Sequence, residues 1–207
     1  MRLTKFTHAC VRLEADGHSL VIDPGEWSEE AALDGVSTVL VTHEHFDHVD
    51  IGWLTRVAAG DRAFRVYAPV PVTEQLASLG EAAVTVSAGA TFTAGGFTVR
   101  AVGGDHAEIY EGLPGCPNLG YVIDDTVYHP GDALFVPDVT VDTLLVPASA
   151  PWLKLAEALD FVRAVKPRRA YPIHDAMLST IGQQSVERWM GAKGNTEYAW
   201  LAPGESV

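Results

Sequence analysis

The chain has 207 residues, 47% of them hydrophobic, and a net charge of −13 from 27 acidic against 14 basic side chains. That is enough apolar material for a sizeable core, and no linker, low-complexity tract or tandem repeat divides it, so one domain over 1–207 is expected. An acidic field of this size repels phosphate polymers and no apolar run approaches the ~20 residues of a membrane span, so neither nucleic acid nor membrane is expected as a partner.

In chain order, the alternating runs Arg2–Phe6, Cys10–Ala15 and Ser19–Asp23 read as strands. Met1–Phe6 lacks the apolar core of a signal peptide. The two cysteines, Cys10 and Cys116, form no disulfide framework and no Cys-x-x-Cys motif, so a cytoplasmic, reduced protein is expected. Asp16-Gly17 signals a hairpin turn and puts His18 at the surface. A strand follows at Thr38–Thr42, a helix at Ile51–Ala59, a strand at Phe64–Ala68 and a helix at Val72–Leu79. Strands then recur at Phe97–Val102, Leu119–Ile123, Thr126–His129 and Asp142–Val146. The near-helical spacing of Leu153, Ala156, Leu159, Phe161 and Val162 predicts a helix over Leu153–Val165, stopped by Pro167. A strand at Ala170–Ile173 and a helix at Thr180–Met190 complete a mixed α/β pattern. The basic cluster Arg163, Lys166, Arg168 and Arg169 lies where cations favour a helix C-terminus and needs no other role.

The chemistry is concentrated in Val41-Thr-His-Glu-His-Phe-Asp-His48, directly after a buried-strand pattern. His43 and His45 alternate and share a face on extended chain, while Asp47 and His48 follow after one spacer at a turn. Imidazoles and a carboxylate in this density are ligands for a divalent transition metal, and the spacing suits two adjacent metals better than one. His106, Asp132 and His174 each follow a further strand-like segment, so strand ends can bring them to one sheet edge.

This ordered set, His-x-His-x-Asp-His followed by His, Asp and His, resembles the metallo-β-lactamase superfamily. Within it, Thr7–Glu14, Asp47–Asp50 and Tyr128–Asp132 are similar to the branch of ascorbate-6-phosphate lactonase and small uncharacterised metal-dependent hydrolases. The resemblance implies an α+β fold, the four-layer αββα sandwich. It implies that His43, His45 and His106 bind one metal, that Asp47, His48 and His174 bind a second, and that Asp132 bridges them. Asp23 in Val21-Ile-Asp-Pro-Gly25 becomes a residue orienting a ligand, although an aspartate opening a turn before Pro24-Gly25 reads nearly as well.

Two divalent ions, zinc first and manganese or iron as alternatives, would make a metallohydrolase in which a bridging hydroxide attacks a small-molecule ester, lactone or similar bond. Asp47 and Asp132 carry the catalytic centre on this reading, tuning its charge, and no serine or cysteine nucleophile is expected. Cys10 reads as a small buried residue and Cys116 as a loop thiol. The alternatives are a phosphodiesterase on a small or lipid phosphodiester, and a mononuclear-iron enzyme of the persulfide dioxygenase kind. No arginine pair marks a phosphate clamp. His8 is a candidate for the pocket wall or for a structural role, and His129 for support or core. Trp27, Tyr110, Trp152 and Met177 are candidate lining, with core packing the commoner use of such side chains. The Gly- and Pro-rich segment Ala107–Asn118 is a candidate cap over the metals.

Overall fold

Each strand in the middle of this chain carries apolar residues on both of its faces, so each needs a layer above and a layer below. The computed structural model, which describes residues 1–113 and 115–207, supplies both. One sheet takes its strands in chain order: β1 (Arg2–Lys5), β2 (Val11–Ala15), β3 (His18–Ile22), β4 (Thr38–Leu40), β5 (Arg65–Ala68) and β6 (Ala83–Thr85). It is antiparallel from β1 to β3 and parallel from β3 to β6.

The second sheet holds β7 (Thr91–Ala94), β8 (Phe97–Asp105), β9 (Pro117–Ile123), β10 (Val127–His129), β11 (Thr143–Pro147), β12 (Arg169–Ile173) and β13 (Glu197–Tyr198), also in chain order. Its first four strands are antiparallel and its last four parallel. The helices are α1 (Ile51–Gly60), α2 (Val70–Gln75), α3 (Leu155–Val165) and α4 (Thr180–Lys193).

The period-2 pattern sorts side chains between three cores. Leu20, Ile22 and Leu40 from the first sheet meet Leu119, Tyr121, Ile123, Leu145 and Ile173 from the second, filling the space between sheets. Their neighbours point outward. Val21, Val39, Val41 and Val66 pack with Trp53 and Leu54 of α1 and with Val72 of α2. Val122, Leu144, Val146 and Ala170 pack with Phe161 and Val162 of α3 and with Val186 and Met190 of α4. Three cores between helix, sheet, sheet and helix are the four layers expected.

Local signals set the helix ends. The Asp50 carboxylate accepts from the Trp53 amide at 2.8 Å and opens α1. Ser179 does the same for α4 through Gly182. Lys166 closes α3 in the left-handed region with φ 58°, and Pro167 prevents continuation.

Three strands were not anticipated. β6 and β13 are only three and two residues long, and β7 is a half-exposed edge strand, so none carries a full alternation pattern. The helix expected over Val72–Leu79 is α2 followed by a 3-10 turn, Ala77–Ala82, in which Gly80 takes φ 56°. The hairpin at Asp16-Gly17 is present with φ of 52° and 80°, and His18 is exposed. Among the described residues, no helix is long and apolar enough to cross a membrane.

Candidate metal centre

The strand ends gather at one edge of the sandwich. Asp23 follows β3, His43 and His45 follow β4, His106 follows β8, Asp132 follows β10 and His174 follows β12. All seven residues expected as metal ligands come together there, and His8, from the loop between β1 and β2, joins them. One group of candidate ligand atoms comprises His43, His45, His106 and Asp132, and the other His8, Asp47, His48 and His174, each with its atoms within 4.8 Å of one another.

The hydrogen bonds fix which ring nitrogen is left over. His106 Nδ1 lies 2.6 Å from the Ala107 carbonyl and His174 Nδ1 2.6 Å from the Ser149 carbonyl. A carbonyl only accepts, so each Nδ1 carries its proton and each Nε2 presents a lone pair. His48 Nδ1 donates to Asp23 Oδ2 at 2.7 Å. The Thr42 hydroxyl donates to the same oxygen at 2.7 Å, which leaves it to accept from His43 Nδ1 at 3.0 Å. Asp23 thus sets two imidazoles at once, and its second oxygen accepts the Thr42 amide at 2.7 Å. Its φ of 52° is set by the turn into Pro24, so both readings of this residue hold together.

The lone pairs converge on a carboxylate. Asp132 Oδ1 lies 3.1 Å from His48 Nε2, and Oδ2 lies 3.0 Å from His174 Nε2 and 3.4 Å from His106 Nε2. Asp132 therefore stands between the two groups. His48 Nε2, His106 Nε2 and Asp132 Oδ1 are buried without a hydrogen-bond partner. Nitrogens facing a carboxylate out of water need positive charge between them, from shared protons or from a bound cation, and the donor set fits a cation. His43 Nε2 and His45 Nδ1 also face each other at 3.0 Å.

The electrostatics show how strongly the cluster attracts positive charge, carried by a proton on His48 or by a bound ion. Burial opposes charge on His48, but Asp132 and Asp23 outweigh it and hold its pKa well above the ordinary histidine value. Burial and His48 hold His43 well below it, so that imidazole is neutral. Burial works against ionised Asp132, yet His48, His106 and His174 keep its pKa far down. Asp47 is drawn down to about 2 against burial by the His8 hydrogen bond and by the charges of His48 and His174.

His8 donates from Nε2 to Asp47 Oδ2 at 3.1 Å, while its Nδ1 accepts the Ala176 amide at 3.4 Å. It belongs to the centre. His129 does not, since Nε2 donates to the Ala9 carbonyl and Nδ1 accepts the Gly131 amide. It ties the loop before Asp132 to the first sheet. Gly131 itself has φ 61°, and a Cβ there would sit 2.3 Å from Asn118 Oδ1. The same Asn118 oxygen accepts the Asp132 amide at 3.0 Å, so the glycine lets the backbone close on its anchor.

Sequence reasoning missed three supports. Trp152, expected as apolar lining or core, donates Nε1–H to Asp132 Oδ2 at 3.1 Å. Asn118 drew no attention, and neither did Lys5, whose buried ammonium donates to the His8 carbonyl at 2.8 Å and to Asp175 Oδ1 at 3.1 Å. Trp27, Tyr110 and Met177 are exposed at the surface rather than packed in the core. Burial pushes the Cys10 thiol up to about 12 and that of Cys116 to about 11, so neither is a ready nucleophile.

The family profile described as a β-lactamase superfamily domain matches residues 2–174. The chain belongs to this superfamily. Protein Rv0786c of Mycobacterium tuberculosis is 41% identical over 185 residues, 86% of each chain. A UPF0173 metal-dependent hydrolase of Methylobacterium nodulans is 30% identical over 203 residues, 84% of each chain. In three dimensions Igni18, a metallo hydrolase of Ignicoccus hospitalis, superposes with a TM-score of 0.77 at 20% identity, covering 100% of this chain and 97% of that one. That likeness supports the fold.

Asp23 offers a direct check on the support of the centre. Asp23→Asn replaces one acceptor oxygen by a donor facing His48 and Thr42. A loss of about 10- to 100-fold in metal affinity is expected, read by competition with a chromophoric chelator. Unchanged affinity would show that Asp23 serves only its turn.

Proposed function

We propose that this protein is a dinuclear metal-dependent hydrolase acting on a small-molecule ester, lactone or similar bond. His43, His45 and His106 hold one divalent ion, Asp47, His48 and His174 hold the other, and Asp132 lies between. Zinc suits the imidazole-rich donor set best. The observation that carries this reading is the convergence of the His48, His106 and His174 Nε2 atoms on Asp132 in a buried space. The family membership and the names of the relatives support it.

When bound, the metals supply Lewis acidity and lower the pKa of water towards neutrality, which is the activation an ester carbonyl requires. The chain's own residues do the rest. The Nδ1–H bonds lock His43, His48, His106 and His174 in the metal-binding tautomer. Asp47 and Asp132 offset cationic charge. His8 and Trp152, each donating to one of those carboxylates, hold the carboxylate planes in place.

The test is metal analysis of protein purified without chelator or affinity metal, followed by turnover of p-nitrophenyl and lactone substrates. About two equivalents of zinc per chain and ester hydrolysis are expected. One equivalent of iron without hydrolysis would overturn the reading in favour of oxygen or sulfur chemistry. Turnover of bis-p-nitrophenyl phosphate alone would make the protein a phosphodiesterase.

A further inference from the structure

Beside His45 and His106 the surface opens into a cleft of about 490 Å³. One wall is the end of β8 and the chain that follows it, from which Asp105, Glu108, Ile109 and Leu113 line the space. Glu44 lines the other side, next to His45 in sequence. Among the described residues, no lysine or arginine lines it. The cleft is continuous with the candidate centre, because His106, which lines it, also presents its buried and unpartnered Nε2 to Asp132.

Several of the chain's cations are engaged with carboxylates elsewhere. Lys5 is buried against Asp175, and Lys154 pairs with Glu157. Arg100 pairs with Asp125. Three carboxylates around one cavity with no counter-ion make a negative potential, and the −13 charge of the whole chain adds to it. Ile109 and Leu113, both exposed, add apolar surface to the same wall.

We infer that the cleft selects substrates whose non-reacting part is neutral or cationic and partly apolar, and that it disfavours phosphorylated or carboxylated ones. This rests on the hydrolase reading, in which the scissile bond meets the metals and the remainder of the molecule occupies the cleft. Two divalent ions contribute four positive charges and Asp47 with Asp132 remove two, so a reacting oxygen is still attracted. Glu44, Asp105 and Glu108 act on what lies farther out.

Cys116 is a built-in probe, since it lines this cleft and its Sγ lies 3.9 Å from His45 Nε2. In zinc-loaded protein its sulfur attacks a methanethiosulfonate reagent, forming a mixed disulfide as methanesulfinate leaves with the bonding pair. Rates for cationic, neutral and anionic reagents, each divided by the rate with a small free thiol, report the local potential whatever the thiolate fraction. The cationic reagent is expected to be favoured over the anionic one by about ten-fold at low salt. That preference should shrink several-fold in Glu44→Gln/Glu108→Gln. Mass spectrometry of peptides confirms that Cys116, and not the buried Cys10, is modified.

Equal rates, or a preference for the anion, would overturn the inference. The same charge order is expected in kcat/KM for p-nitrophenyl esters with trimethylammonium, alkyl and carboxylate tails. If the thiol rates show the preference but no ester is turned over, the hydrolase reading fails and the charge of the cleft stands. Turnover with the reverse charge order sinks the inference alone.

Discussion

Asp132→Ala is expected to abolish hydrolysis, with kcat/KM falling by at least about 10³-fold, and to leave no more than one equivalent of metal per chain. The size follows from where the carboxylate sits. Both of its oxygens face imidazole nitrogens, Oδ1 toward His48 and Oδ2 toward His174 and His106, and the side chain is almost fully buried. Removing it takes away the one negative group shared by the two candidate sites, so two cations held close together would lose the charge that separates them. The fold should survive, because Asp132 follows a short strand and packs in none of the three apolar cores. Circular dichroism should therefore match the parent protein while metal analysis and turnover do not. Asp132→Asn keeps the shape and an acceptor for Trp152, and separates loss of charge from loss of volume. If either variant keeps two equivalents of metal and full activity, Asp132 is not between the metals and the assignment fails.

The parts legible in the sequence were those with a period or a crowded pattern. His43, His45, Asp47 and His48 announce themselves within six positions, and His106, Asp132 and His174 each follow a run that reads as a strand. The four layers are consistent with the apolar alternation, since Leu20 and Ile22 face one core while Val21 faces another. Strands β6, β7 and β13 were hidden because edge strands of two to four residues take their stability from a neighbour rather than from their own pattern. The change from α-helix to 3-10 turn after Gln75 was hidden because Val72, Leu76 and Leu79 keep a helical spacing across it.

The support of the centre was hidden for a different reason. Trp152 acts through Asp132, Asn118 through Pro130 and the Asp132 amide, and Lys5 through Asp175 and the carbonyls of Phe6 and His8. The contacts to Asp132 span 20 and 14 positions and the one to Asp175 spans 170. They bring together segments that no local pattern links, so a tryptophan, an asparagine or a lysine reads as ordinary. His8 lay between these cases. Its membership in the centre depends on a turn at φ 66° that the sequence around it does not advertise.

Lys5→Met is expected to destabilise the protein by about 3–5 kcal/mol, a fall of roughly 10 °C in Tm for a chain of this length. In the alternation of β1 this residue occupies an inward position, and its side chain has no exposure while that of Asp175 has 8%. The ammonium meets Asp175 and the carbonyls of Phe6 and His8, which satisfies its three protons. Methionine fills the same volume but leaves a buried carboxylate and the Phe6 carbonyl without their donor, and the His8 carbonyl with only the His174 amide. The damage is placed next to the centre. His8 contacts Asp47, its carbonyl also accepts the His174 amide at 3.2 Å, and Asp175 is the residue after His174. A weakened second metal site should accompany the lower Tm, seen as earlier loss of one metal equivalent on titration with chelator. Adding Asp175→Leu removes the stranded charge and should recover part of the stability, though not all, because both carbonyls still lack the ammonium. Full recovery would mean that the ion pair alone mattered, and a single variant as stable as the parent would show that Lys5 and Asp175 do not pair in solution.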